Sequence, residues 1–97
     1  MGLAVRGLID PLVSISADQV CCDLNGEAVI LNLNSGTYYG LDGIGPRVWD
    51  LIQEPKRTSA VVGTLIQEFE VKPEVCEQDV VALLGKLAEA GLVELRA

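Results

Sequence analysis

Apolar and polar residues alternate along much of the first half of the chain, as they do in strands that have one buried face. Residues 27–34 read EAVILNLN, and an apolar run at 20–24 precedes them. Asn25-Gly26 separates the two runs and favours a tight hairpin, because both residues adopt positive φ readily. The alternation in the second strand places three apolar side chains on one face, namely Val29, Leu31 and Leu33.

A second turn, at residues 34–37, leads into a third short strand at residues 37–41. In an extended strand Tyr39 and Leu41 share one face, and Tyr38 lies on the other. The three runs therefore predict an antiparallel meander of three strands.

After this strand the hydrophobic period lengthens to about 3.6 residues, which indicates helices. The first helix includes Pro46, and the second begins at Thr58, a good N-cap residue. The third begins near Pro73 and ends before Gly91, a residue suited to the end of a helix. Three antiparallel strands followed by three helices predict an α+β fold of the winged helix-turn-helix type.

The length of 97 residues allows one hydrophobic core. Residues 1–11 carry no clear period, so we expect a loose N-terminal arm followed by one domain at residues 12–97. Residues 12–24 predict a strand or a bent pair of strands, and the apolar segment at residues 92–95 is expected to dock on the core.

Charge argues against nucleic acid as the partner. The chain has fourteen acidic and seven basic side chains, for a net charge of −7, whereas affinity for nucleic acid comes largely from Lys and Arg. The charged side chains of the third helix, which would enter a DNA groove in this fold, are mostly acidic. No run approaches the about 20 apolar residues of a membrane span. We expect a cytoplasmic protein that binds neither nucleic acid nor membrane.

The residues for catalysis or metal binding are also missing. The chain has no histidine and three cysteines, Cys21, Cys22 and Cys76. Adjacent cysteines in a strand point to opposite faces, and no set of four zinc ligands is present. We expect buried thiols, no metal, no cofactor and no enzymatic activity, because no nucleophile is paired with an activating base.

Two features exceed what a core requires. The third strand is predicted to form a sheet edge, and it has no Lys or Pro to block pairing. The third helix has apolar residues on more than one stripe. An edge strand beside an apolar groove is what peptides use when they add to a sheet. On the residues alone, packing of the whole excess against the first two helices is an equal alternative.

Three sequence segments resemble the PqqD-like family, whose members are also called recognition elements for ribosomally synthesised, post-translationally modified peptides (RiPPs). The segments are NLNSGTYYGL at residues 32–41, GPRVWDLI at 45–52 and CEQDVVALLGKLAEAGLVEL at 76–95. Residues 20–95 follow the family pattern in order and spacing. The context of Trp49, itself expected in the core, and the last segment are most similar to stand-alone members from lasso-peptide clusters.

The resemblance implies a partner and a binding mode. Such domains bind the leader segment of a precursor peptide, which adds as a strand beside the third β-strand and presses side chains against the third helix. They present the precursor to a leader peptidase, a cysteine protease of transglutaminase-like fold, and then to an ATP-dependent lasso cyclase. The alternative is an adaptor that docks on a modification enzyme without recognising the leader itself.

The resemblance also implies a set of site residues in this chain. Asp79 would accept a hydrogen bond or an ion pair from the leader, although complementing the helix dipole is an equal alternative for it. Lys86 would lie at the rim of the cleft. The receiving edge would be Thr37, Tyr38, Tyr39 and Gly40, and the cleft wall Cys76, Asp79, Val80, Leu83, Leu84 and Leu87.

Overall fold

The predicted meander and the three predicted helices form the centre of the structure, a computed structural model that describes residues 3–24 and 27–97. The strands are β1 (Ala4–Val5), β2 (Leu8–Ile9), β3 (Leu12–Ile15), β4 (Gln19–Leu24), β5 (Glu27–Asn32), β6 (Tyr38–Leu41), β7 (Lys56–Arg57) and β8 (Val93–Arg96). The helices are α1 (Gly45–Leu51), α2 (Thr58–Glu68) and α3 (Pro73–Glu89).

The meander consists of β4, β5 and β6 in that order, and both pairs are antiparallel. The predicted Asn25-Gly26 turn lies outside the described residues. The second turn is present. Its backbone is held by Asn32, whose Oδ1 accepts hydrogen bonds from the N–H groups of Asn34 and Ser35 at 2.9 and 3.3 Å. The predicted α+β fold with a three-stranded antiparallel sheet and three helices is confirmed.

The alternation in β5 is as predicted, but the helices cover the other face of the strand. Ile30 is completely buried, whereas Leu33 is 57% exposed. Ile30 is paired with Tyr39, and Leu31 with the exposed Tyr38. Residues 28–31 are all apolar, so the sequence pattern does not indicate which of the two faces meets the helices.

A second sheet lies outside the meander, and residues 12–24 form two strands, as one of the two predicted alternatives had it. β3 and β4 are separate strands in different sheets, and β3 pairs with β7 on one side and β8 on the other. The C-terminal segment docks as predicted, because β8 pairs with β3 and brings Leu92 and Val93 into the core. This second sheet thus pairs β3, from the first part of the chain, with β8, from its last part.

The N-terminal arm was expected to be loose, and the structure corrects this expectation. The described part of the arm is an ordered hairpin of β1 and β2. Val5 is only 1% exposed and belongs to the main core. Asp10 Oδ1 and Oδ2 then accept hydrogen bonds from the backbone N–H and Oγ of Ser59, at 2.8 and 2.9 Å. Strands of two residues are too short to show a period, which is why the sequence pattern missed them.

This contact also changes the predicted cap of α2. Thr58 is the first residue of α2 and is buried. Its Oγ1 donates to the carbonyl oxygen of Pro11 at 3.1 Å rather than capping its own helix. The N-terminal segment therefore fixes the start of α2 through Asp10 and Pro11.

The end of α3 depends on Gly91, which has φ +75°. A Cβ atom there would lie 3.4 Å from Nδ2 of Asn32, a side chain that donates to the carbonyl oxygen of Ala90. We expect Gly91→Ala to lower the free energy of unfolding by about 1 kcal/mol, since only glycine adopts this conformation without strain. Thermal melts provide the measurement. The control, Gly85→Ala inside α3, meets no neighbouring atom and should instead be stabilising.

An exposed ion pair connects α1 to the last residue of α2. Arg47 Nε and Nη2 donate to the two carboxylate oxygens of Glu68 at 2.7 and 2.6 Å. The hydrogen bonds from Arg47 lower the pKa of Glu68, although its partial burial acts the other way. The pair therefore stabilises the fold above the pKa that Glu68 has in the unfolded chain.

The lowered pKa of Glu68 predicts how the contribution of the ion pair to stability depends on pH. At neutral pH Glu68→Gln should lower the melting temperature slightly, because exposed pairs contribute little. As pH falls through the depressed pKa of Glu68, the wild-type carboxylate is protonated and the difference between the two proteins should disappear. Melting curves of both proteins from neutral to acidic pH provide the measurement, and a difference that persists in acid would contradict the assignment.

Candidate functional site

β6 is an edge of the meander, because it is paired with β5 alone. In an antiparallel pair, residues whose main-chain groups face the neighbour alternate with residues whose groups face away. The N–H of Asn32 donates to the carbonyl oxygen of Thr37 at 2.9 Å, so Thr37 and every second residue after it face β5. The main-chain N–H and C=O groups that point away from β5 belong to Tyr38 and Gly40.

A groove runs beside this edge, between β6 and α3. Its volume is about 400 Å³. Gly45 makes the approach of α1 to β6 close, since a Cβ atom there would lie 3.2 Å from Cβ of Leu41. The β6 side and the turn after it contribute Tyr39, Gly40, Leu41, Asp42, Gly43, Ile44 and Gly45, and α3 contributes Asp79, Ala82, Leu83 and Lys86. We call this the β6–α3 groove.

The β6–α3 groove continues at both ends. Tyr39 and Lys86 also line an extension toward the end of α3, together with Glu89 and Ala90. At the opposite end, Ile44 and Asp79 also line a small apolar pocket, so the chain from β6 into α1 runs antiparallel to α3. The other residues of this pocket are Leu65, Phe69, Val71, Val75 and Cys76.

The structure brings five of the predicted site residues together in the β6–α3 groove: Tyr39, Gly40, Asp79, Leu83 and Lys86. Cys76 is buried, and it contributes to the apolar end pocket. Tyr38 is 75% exposed and lies at the edge, to which it contributes main-chain groups. Thr37 precedes β6, and its Oγ1 is within hydrogen-bond distance of Oγ of Ser35 at 2.6 Å.

Three predicted wall residues are placed elsewhere and correct the expected outline of the cleft. Val80, Leu84 and Leu87 have no exposed surface and belong to the core. They lie on the face of α3 that packs inward, so they support the groove from below rather than line it. A broad apolar helix does not indicate by itself which of its sides faces the core.

The predictions missed Ala82 and the turn after β6. Ala82 completes the groove-facing set on α3, where residues 79, 82, 83 and 86 recur at the spacing of one helix face. The i, i+3, i+4, i+7 spacing from Asp79 to Lys86 is the signal that could have identified this face. The Asp42–Gly45 turn carried no comparable pattern, since its position depends on how α1 packs.

The ionisable groups of the groove are unpaired within the described part of the chain. Neither Asp42, Asp79 nor Lys86 makes a side-chain hydrogen bond or an ion pair there, and the ion pair found is Arg47–Glu68. Burial raises the pKa of the Cys76 thiol, and the negative charges of Asp79 and Glu77 raise it further. Cys76 therefore stays a neutral thiol at neutral pH.

The other cysteines differ from expectation. Cys21 and Cys22 are exposed on β4, whereas only Cys76 is buried as predicted. Within residues 3–24 and 27–97, no three His, Cys, Asp or Glu side chains are grouped so that they could hold a metal ion. In the same part of the chain, no helix has the length and apolar character needed to cross a membrane.

The sequence profile of the family described as coenzyme PQQ synthesis protein D (PqqD) matches residues 27–93, from β5 to the start of β8. The chain belongs to the PqqD family. The match spans both walls of the β6–α3 groove. Among curated protein sequences, none matches the chain.

Three solved structures are similar to this PqqD-family chain. TbiB1, solved in complex with the TbiA(beta) leader peptide, is 37% identical with a TM-score of 0.75, covering 84% of this chain and 94% of its own. A lasso peptide synthetase B1 complexed with its leader peptide is 22% identical with a TM-score of 0.74, covering 84% and 96%. The PqqD truncation of Methylobacterium extorquens PqqCD, described as a functional, stand-alone RiPP recognition element, is 19% identical with a TM-score of 0.73, covering 96% and 97%. The last two show a shared fold.

Proposed function

We propose that this PqqD-family domain binds the leader region of a ribosomally synthesised precursor peptide by strand addition to β6. The observation that carries the proposal is the combination of a sheet edge and a groove. The main-chain groups of Tyr38 and Gly40 point away from β5, beside a groove whose far wall is α3. Main-chain hydrogen bonds to the edge supply affinity, and contacts in the groove supply specificity.

Each kind of contact with the leader contributes only a modest part of the binding free energy. An added strand forms hydrogen bonds that each contribute about 0.5–1.5 kcal/mol. A leader that is unfolded when free also loses conformational entropy on binding. Apolar contacts to Leu83, Ala82 and Ile44 therefore have to add to the edge contacts. The 37% identity to TbiB1, solved with a leader peptide, supports leader binding as the role of this groove.

The finer part of the proposal concerns delivery. The domain presents the bound precursor to a leader peptidase of transglutaminase-like fold and to an ATP-dependent lasso cyclase, and it performs no bond-breaking step itself. The resemblance of the sequence to stand-alone members from lasso-peptide clusters supports this assignment, as does the 37% identity to TbiB1, which was solved with a leader peptide.

Fluorescence polarisation tests the proposal directly. The probes are the labelled TbiA(beta) leader peptide and the leader of any precursor peptide found to be encoded beside this protein, each with a scrambled peptide of equal composition as control. Tight and saturable binding of a leader, with none of its scrambled form, is the expected result. Failure of the domain to bind any leader, including any found to be encoded beside it, would overturn the proposal.

The outer face of the meander favours a second candidate, an adaptor that docks on a modification enzyme. Val20, Leu33 and Tyr38 are large apolar side chains that remain 42–75% exposed there. An adaptor of this kind would co-purify with the peptidase or cyclase and would not bind the free leader. Binding measurements with enzyme and leader separately distinguish the two candidates.

A further inference from the structure

The β6–α3 groove has different charges at its two ends. Asp79 lies at the end that continues into the apolar pocket, and Asp42 lines the groove from the turn after β6. At the other end Lys86 lies beside Glu89, so the charges there are balanced. We call the end of the groove at Asp79 the acidic end.

The position of Asp79 in its helix is not explained by the helix dipole. α3 begins at Pro73, so Asp79 is the seventh residue of the helix. The dipole favours acidic side chains within the first turn and falls off beyond it. Glu74, which does lie in the first turn, accounts for that effect. The sequence left two roles open for Asp79, and the helix start at Pro73 removes support from the dipole role.

Asp79 and Asp42 also have no basic partner in the described part of the chain. Both side chains are exposed, and no ion pair or side-chain hydrogen bond involves them. The chain as a whole has a net charge of −7. A bound segment that places a negative charge beside either carboxylate would be repelled, and one that places a positive charge there would be attracted.

We propose that the bound leader carries a Lys or Arg at the one position that lies against Asp79, and that this charge fixes the register of the added strand. The inference rests on the proposed function and deepens it by naming the chemistry of the recognised segment. The methylene groups of such a side chain would lie along the neighbouring apolar pocket with the charged head at the Asp79 carboxylate.

The geometry makes the preference specific to one position. Asp79 and Lys86 are seven residues apart on α3, which is about 10 Å along the helix axis. An extended peptide covers this distance in about three residues. A slip of the leader by two residues, which would keep its side chains on the same faces, would move its basic group from the acidic end toward Lys86.

A charge scan of the leader provides the test. Each position of the TbiA(beta) leader and of any leader found to be encoded beside this protein is replaced in turn by Lys and by Glu, and affinity is measured at low and high salt. We expect one position at which Glu binds about five- to tenfold more weakly than Lys at low salt, with a smaller difference at high salt. At the other positions the difference should be small.

Variants of the protein assign the effect to the groove. Asp79→Asn should remove most of the Lys–Glu difference at that position, and Asp79→Lys should reverse it. The matched control is Glu74→Gln, which removes one negative charge from the same helix but from a residue that does not line the groove. Melting curves of each variant show that the fold is retained.

The outcomes separate the two proposals. If the wild-type protein binds no leader, the proposed function itself fails. If it binds leaders but no position prefers Lys over Glu, or if Glu74→Gln acts as strongly as Asp79→Asn, the charge inference is overturned and leader binding stands. A preference at the acidic end for a hydroxyl or a purely apolar side chain would also overturn the charge inference.

Discussion

Gly40→Pro is expected to weaken leader binding by about 10- to 100-fold while the domain stays folded. Gly40 is in β6, and its N–H points away from β5 toward the groove. Proline has no N–H, so the added strand would lose a hydrogen bond and keep an unsatisfied carbonyl oxygen. Such a group costs about 1–3 kcal/mol when it is buried, which corresponds to the expected loss.

The fold should tolerate this proline because of its place in the sheet. Proline is accepted on edge strands when its nitrogen faces away from the neighbouring strand. Tyr39, the residue before it, is already in the extended conformation that proline requires of its predecessor. The ring would lie on the free side of β6, where it also obstructs the approach of a peptide.

Gly40→Ala is the matched control, since it keeps the N–H and its Cβ would meet no atom within 4 Å. Fluorescence polarisation with the leader and thermal melts are measured for both variants. The alanine variant should bind like the wild type and the proline variant should not, at similar melting temperatures. Equal binding by both variants would mean that the leader does not pair with the edge of β6.

The sequence allowed the strands of the meander and the helices to be predicted, because each has its own strong period. Turn residues between β5 and β6 and proline at the start of α3 marked the boundaries. The small elements β1, β2 and β7 could not be predicted. They have two residues each, which is too few to show a period, and β7 pairs with β3, a strand distant in the chain.

Only part of the site was predicted, because its outline also depends on how the elements pack. The edge strand and the helix that face each other were identified, and Asp79, Leu83 and Lys86 do line the groove. The neighbouring Leu84 and Val80 do not, because they face the core. A helix with apolar residues on two adjacent stripes has two ways to pack, and the choice depends on the other elements. The turn after β6 lines the groove because of how α1 packs, and the sequence pattern does not indicate this packing.

Substitutions at Leu83 and Leu84 test which face of α3 meets the core and which meets the groove. Leu84 has no exposed surface, whereas Leu83 is half-buried and lines the groove. Leu84→Ala should lower the free energy of unfolding by about 2–5 kcal/mol, as removal of a buried leucine side chain does. For a domain of this size the melting temperature should fall by about 10–30 °C.

Leu83→Ala should show the opposite pattern. Its cost in stability should stay below about 1.5 kcal/mol, since part of the side chain is already exposed. Its effect on leader affinity should be a loss of about fivefold or more, because the groove loses an apolar wall. Urea and thermal melts measure stability, and fluorescence polarisation, at a temperature where both variants are folded, measures binding. If Leu83→Ala were as destabilising as Leu84→Ala and bound the leader normally, the face of α3 assigned to the groove would be a core face. If Leu84→Ala mainly lowers stability and Leu83→Ala mainly lowers leader affinity, then Leu84 stabilises the core and Leu83 contacts the peptide.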